Sequence, residues 1–305
     1  MLIDVQNLKK SYKSFQAVND SNFHVKEGEI FGFLGPNGAG KSTTINILST
    51  MLQPTGGSVT INGYDVVKDQ NRVRESIGII FQQNTLDEKL TAKENLKLHC
   101  KFYGVPRSKR KARIREVLEI VDLTDSLNLL VEKFSGGMQR RLEIARGLLH
   151  YPKVLFLDEP TVGLDPQTRA HVWEYILKLK EKENITMFLT THYLDEAEIS
   201  DRIAIMDHGD IIAIDTPKSL KQQLGGDIIE ITTTDNETAM EEIDAAFEVI
   251  DLTLKDGVIH CKVENSDAFV SEFIKTLQTP LTGLDIRKPT LNDVFLSFTG
   301  REIRD

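Results

Sequence analysis

An apolar strand that runs straight into a glycine loop and then a helix constrains this chain more than any other feature. Residues 30–34 are apolar and lie between Gly28 and Gly35, as expected of a strand buried on both faces. Gly35-Pro36-Asn37-Gly38-Ala39-Gly40-Lys41-Ser42 follows, and Thr43 leads a helical stretch that runs to about residue 52 and stops near Pro54. Glycines let such a loop wrap phosphates closely with its N–H groups turned inward. The start of the following helix adds the positive end of a dipole. Lys41 can then reach the β- and γ-phosphates of a nucleotide, and the Ser42 hydroxyl can face Mg²⁺. A nucleoside triphosphate site is expected here, in an α/β fold.

The rest of the chain supplies the sheet around that loop. Strand texture appears at residues 59–61, followed by the tight-turn pair Asn62-Gly63, and again at 76–81. From about residue 87 the pattern becomes helical and charged. Thr91 with Glu94 forms a capping-box pattern, and the block at about 87–150 is expected to be a helical insertion. Apolar strands resume at 154–157, 185–189 and 203–206 with helices between them, which implies a parallel sheet. Past Gly225-Gly226 the order is strand 227–233, helix 236–247, strand 249–254, an Asp256-Gly257 turn, strand 258–264, helix 267–278 and strand 284–288. That is a small α+β unit of the βαββαβ, ferredoxin-like kind. Two domains are expected, 1–224 and 225–305, and 305 residues suffice for one large and one small core.

Composition narrows the partners. The net charge is −9 and the isoelectric point about 5.4, which argues against nucleic acid. The same total argues against attachment to anionic lipid by charge alone. Cys100 and Cys261 lie far apart and match no metal or disulfide spacing, so two reduced thiols in a cytosolic protein are expected. No apolar run approaches the roughly 18 residues of a spanning helix. The first residues have a strand pattern without a signal peptide. Any membrane association is then expected to come through a partner.

Residues 154–157 are apolar and end in Asp158-Glu159. A carboxylate at the C-terminal end of a parallel strand can face a nucleotide-bound Mg²⁺. Asp158 would serve the metal, and Glu159 would polarise the attacking water as general base.

Phe134-Ser135-Gly136-Gly137-Met138-Gln139-Arg140-Arg141 resembles the signature of ABC ATPases. Phe134 stands where the family usually has Leu, and Met138 where it usually has Gln; the Ser-Gly-Gly centre is intact. The other family elements follow in order. Tyr12 matches the aromatic that stacks on adenine, Gln82 the Q-loop glutamine, Gly163-Leu164-Asp165 the D-loop and His192 the switch histidine. The likeness covers about residues 1–220. It implies a P-loop NTPase core with an antiparallel β subdomain and an inserted helical subdomain. It also implies ATP bound by Tyr12, residues 35–42 and Thr43, with Mg²⁺ held by Ser42, Gln82 and Asp158. Hydrolysis would use Glu159, His192 and Gln82. Ser135, Gly136, Gly137 and Asp165 would contact the nucleotide held by a second copy, so two ATP would be sandwiched head to tail.

Residues 289–302 resemble the tail of the daunorubicin-resistance subfamily, bacterial exporters of drugs and antibiotics. That likeness implies a separate transmembrane permease of the ABC-2 kind, an export direction and a peripheral place on the cytoplasmic face of the membrane. A homodimer of nucleotide-binding subunits is expected, with no nucleic acid. The family grips its permease near Gln82 and residues 85–105. Leu86, Leu90 and Phe102 would line an apolar groove there or pack internally. A soluble ABC ATPase acting on ribosomes or DNA would typically carry two cassettes or a long coiled coil, and this chain has one phosphate loop and no long heptad run. A binding-only regulator is disfavoured because Lys41, Asp158, Glu159 and His192 are all present.

Overall fold

The computed structural model describes residues 1–264 and 266–300. Arg301 and Glu302 of the tail motif lie outside them. The chain divides into two compact units with the break after Asp215, ahead of the expected 224/225 boundary. The physical reason is the helix Pro217–Leu224, which packs on the helix Leu291–Thr299 and so belongs with the C-terminal unit.

A six-stranded sheet is the middle layer of the first unit. Its order is Asp210–Asp215, Arg202–Asp207, Ile30–Leu34, Thr186–Thr191, Val154–Asp158, Ile77–Ile80. The last five are parallel to one another, and Asp210–Asp215 runs antiparallel at the edge. Every residue of Ile30–Leu34 and of Thr186–Thr191 is buried. This is why these strands show continuous apolar runs and not alternation.

One face of this sheet packs under a four-stranded antiparallel sheet, ordered Phe15–Val25, Ile3–Tyr12, Gly56–Ile61, Tyr64–Asp65. Phe23 reaches from that sheet to Phe31, Phe33 and Phe188, with ring centres 5.1–6.0 Å apart. The Asn62-Gly63 pair makes the expected turn, both residues at positive φ (51° and 79°). The other face carries the helices Ala92–Phe102, Arg107–Ile120 and Gly136–Leu148. Thr91 and Glu94 close the capping box in both directions. Leu86 is buried in this helical core, Leu90 is half-buried, and Phe102 is 73% exposed. Leu86 therefore packs internally and does not line a groove.

The helix after the phosphate loop is Lys41–Leu48, shorter than the expected 43–52. Thr50 adopts φ 66°, and the N–H groups of Met51 and Leu52 fold back onto the Asn46 carbonyl at 2.9 Å. This closes the helix well before Pro54.

The second unit has its own four-stranded antiparallel sheet, ordered Asp251–Lys255, Val258–Val263, Asp227–Thr233, Leu281–Arg287. The helices Asn236–Ala246 and Ser266–Thr276 cover one face, burying Ile229, Ile231, Ile243, Ile259 and Phe273. In βαββαβ terms the strands lie second, third, first, fourth, which is the ferredoxin-like arrangement. Cys100 and Cys261 are both buried and unbridged, and burial pushes the Cys261 thiol up to about 12.

Candidate nucleotide site

Four neighbouring parallel strands deliver the site. The chain leaves Ile30–Leu34 into the glycine loop, Thr186–Thr191 into His192, Val154–Asp158 into Glu159, and Ile77–Ile80 into Phe81 and Gln82. Strands about 4.8 Å apart bring these C-terminal ends side by side.

The loop depends on its glycines. Gly40 caps the following helix at φ 108°, a conformation costly for any residue with a side chain. A Cβ there would also lie 2.4 Å from the Ala17 carbonyl oxygen. Lys41 is 4% exposed. Its ammonium donates to the carbonyls of Gly35 at 2.7 Å and Pro36 at 3.1 Å and lies 3.6 Å from Glu159 Oε1. Burial lowers its pKa, and the carboxylates of Glu159 and Asp158 oppose that. Ser42 is exposed beside it.

Glu159 is the meeting point. Gln82 Nε2 donates to its Oε2 at 3.0 Å, while His192 Nδ1 lies 3.3 Å from Oε1, the atom that also faces Lys41. Its backbone sits at φ 45°, a left-handed conformation that costs roughly 1–2 kcal/mol in a non-glycine residue. Thr190 holds that conformation: its carbonyl accepts from Glu159 N–H at 3.0 Å and its side-chain oxygen at 3.2 Å. The Thr190 hydroxyl also donates to Asp158. Burial raises the Asp158 pKa, partly offset by that hydroxyl.

The structure therefore brings Lys41, Gln82, Asp158, Glu159 and His192 together. Tyr12 lies apart at the end of its strand, 45% exposed, with the Lys10 ammonium 5.2 Å from its ring centre.

Ser135, Gly136, Gly137 and Asp165 form a second cluster. Ser135 caps the helix Gly136–Leu148, accepting from Met138 N–H. Asp165 caps the helix Pro166–Glu183, accepting from Thr168 N–H at 3.0 Å, and hydrogen bonds from Thr168 hold its carboxyl below the usual range. The two helix starts abut: a Cβ on Gly137 would lie 2.5 Å from Thr168 Cγ2. Ser135 and Gly136 are exposed. Among the described residues, no hydrogen bond or ion pair joins this cluster to the phosphate loop.

Sequence reasoning missed what ties the two clusters together. Arg140, 7% exposed, lies on the helix that Ser135 caps. Its guanidinium donates to the carbonyls of Phe81 and Pro160, and to Glu143 at 2.8 Å. It thus grips the backbone just before Gln82 and just after Glu159. Glu143 accepts from Thr85 N–H at 2.9 Å, and Arg146 donates to the Thr85 carbonyl at 3.0 Å. One side of the signature helix holds both ends of the loop that carries Gln82. Glu196 was missed as well. Fully buried, it accepts from Thr161, Thr191 and Trp173, joining the segments that follow Glu159 and precede His192.

Comparison with known proteins bears on the same residues. The family model described as ABC transporter matches residues 18–162. The model described as ATP-binding protein DrrA1-3-like, C-terminal domain, matches residues 216–299. The chain is 40% identical to the linearmycin resistance ATP-binding protein LnrL of Bacillus subtilis (strain 168), over 100% of both chains. It is 37% identical to the daunorubicin resistance ATP-binding protein DrrA2 of Streptomyces coeruleorubidus, over 98% of this chain and 95% of that one. Among solved structures it resembles a dimeric, post-hydrolysis ATP-binding cassette bound to ADP and Pi. That likeness has a TM-score of 0.63 and 31% identity, over 70% of this chain and 98% of that one.

Proposed function

Since the chain belongs to the ABC transporter ATP-binding family and is an ATPase subunit of that family, we propose that two copies sandwich two ATP head to tail and drive an exporter. The observation that carries this is the division of the site. The groups suited to the chemistry converge on Glu159, while exposed Ser135 and Asp165 and half-buried Gly137 form a separate patch at two helix starts. Such a patch suits phosphate oxygens brought by another chain.

Within one copy, Lys41 exchanges its carbonyl partners for β- and γ-phosphate oxygens, and residues 37–43 supply backbone N–H donors. Tyr12 offers an exposed ring for adenine. Glu159 takes the proton of the water that attacks the γ-phosphorus as the bond to ADP breaks. Gln82 and His192 orient that carboxylate and the phosphate. From the other copy, Ser135 donates its hydroxyl, and Gly136 and Gly137 present backbone N–H groups near Asp165.

Ser42, Asp158 and Gln82 fit Mg²⁺. They offer hard oxygen donors beside the phosphate position, and a divalent cation there would offset the burial that raises the Asp158 carboxyl. Among the described residues, no group of three His, Cys, Asp or Glu could hold a metal ion by itself. Bound Mg²⁺ would neutralise charge on the β- and γ-phosphates.

No helix among the described residues is long and apolar enough to cross a membrane. The transport path is assigned to a separate permease of the ABC-2 type, with this subunit on its cytoplasmic face. The resistance proteins named above, each matched along nearly its whole length, support a drug, antibiotic or lipid-like cargo. Half-buried Leu90 is a candidate for contact with that permease.

The test is co-expression with the neighbouring membrane subunit. The two are expected to purify together, and amphipathic antibiotics are expected to stimulate ATP hydrolysis in reconstituted vesicles. Failure to co-purify, with hydrolysis that responds to ribosomes or DNA instead, would move the chain to a soluble class.

A further inference from the structure

The whole-chain charge hides a sharp reversal. Between residues 93 and 115 stand nine Lys or Arg residues and one acid, Glu94, whereas the remainder carries 28 basic and 45 acidic residues. A total of −9 is thus compatible with a strongly basic face, and the exclusion of anionic lipid drawn from that total does not hold locally.

The fold turns this segment into a surface. The helix Ala92–Phe102 buries Ala92, Asn95, Leu96 and Cys100, and the helix Arg107–Ile120 buries Arg113, Ile114, Val117 and Leu118. Lys93, Lys97 and Lys101 are exposed on the first, and Arg107, Lys111 and Arg115 on the second. The four-residue spacing sets each trio along one side of its helix. Like charges at that spacing repel, so helix stability does not account for the arrangement. Of these six, only Arg115 makes an ion pair among the described residues, a 3.7 Å contact with exposed Glu119. The helices join through Gly104 at φ 64°, where Val105 N–H donates to the Cys100 carbonyl at 2.9 Å. At this tip Phe102 is 73% exposed, and Leu98, one turn earlier, is 41% exposed.

Cations in rows beside an exposed aromatic ring are what an interfacial helix presents to anionic lipid. We propose that this helical hairpin rests directly on an anionic bilayer, with Phe102 entering the headgroup layer and the two cationic rows facing lipid phosphates. Each row spans about 12 Å and does not converge on a point, which suits a continuous sheet of phosphates better than one acidic protein segment. The proposal rests on the reading of the chain as a subunit that works beside a membrane.

The test is co-sedimentation of the whole chain with vesicles of phosphatidylglycerol and phosphatidylcholine, against phosphatidylcholine alone. Binding is expected only to the anionic vesicles at low salt, and is expected to vanish at about 0.5 M salt, where the screening length is about 4 Å. Each engaged cation is expected to be worth about fivefold in partitioning. The combined Lys101→Gln, Arg107→Gln, Lys111→Gln variant should therefore bind about a hundredfold more weakly. Phe102→Ser should also weaken binding. Equal binding to the neutral vesicles, or undiminished binding by the triple variant, would overturn the proposal. So would equal capture by soluble polyphosphate with no effect of Phe102→Ser, which would mark a general anion surface. ATP hydrolysis measured on the same proteins separates the two claims. A wild-type chain without ATPase activity sinks the proposed function, whereas intact hydrolysis without vesicle binding sinks this inference alone.

Discussion

Glu159→Gln is expected to leave ATP binding near wild type and to slow turnover about 10²–10⁴-fold, the usual worth of a positioned general base. The substitution keeps the shape of the side chain, so the places of Gln82 and His192 around it survive. What is lost is the basicity that accepts the proton of the attacking water. Lys41 loses one of its two carboxylate neighbours but keeps Asp158, so the phosphate loop retains its balance of charge. With chemistry blocked and binding intact, ATP should accumulate at the interface and hold two copies together. Size-exclusion chromatography with ATP should show a long-lived dimer for the variant and a transient one for the wild type. Turnover at the wild-type rate would remove Glu159 as the base.

Lys41→Ala is expected to weaken ATP binding by at least about a hundredfold, because charge-assisted hydrogen bonds to phosphate are among the strongest that a loop can offer. The structure gives Lys41 no other task of comparable weight. Its ammonium is buried at 4% exposure and bridges the Gly35 and Pro36 carbonyls to the Glu159 carboxylate. These are the contacts of a cation poised at the mouth of the loop. Equilibrium titration with a fluorescent ATP analogue measures the effect, and a melting curve separates lost binding from lost folding. A folded variant with ordinary affinity would contradict the phosphate-loop assignment.

What could be read from the sequence was local or periodic. The strand Ile30–Leu34 is continuous and apolar because both its faces are covered, and the glycine loop follows within the same short stretch. The Thr91–Glu94 box closes over four residues. The order of the second unit could be read because short strand-like runs such as Val258–Val263, which alternates, are separated by longer helical stretches and an Asp256-Gly257 turn. What stayed hidden depends on partners far along the chain. Arg140 reaches the Phe81 carbonyl across 59 residues and the Pro160 carbonyl across 20, and a backbone carbonyl leaves no signature in a sequence. Glu196 looks like any acid on a short helix until Thr161, Thr191 and Trp173 close over it. Leu86 and Phe102 are equally apolar in the sequence, yet one is core and the other is exposed at the tip of a helical hairpin. Glu159 gave no sign of its left-handed backbone, which the neighbouring strand imposes through Thr190. The total charge was misleading for a simpler reason: a sum carries no information about placement.

The claim that one chain holds parts of two half-sites is tested most directly by mixing two disabled chains. Ser135→Glu places a negative charge where the other copy's phosphate should sit, and Glu159→Gln removes the base. In a mixed dimer one site pairs an intact Glu159 with an intact Ser135, and the other site carries both defects. ATP hydrolysis absent from either variant alone is expected to reappear when the two are combined. If the mixture stays as inactive as its components while both still bind ATP and dimerise, each chain completes its own site, and the two-chain account is wrong.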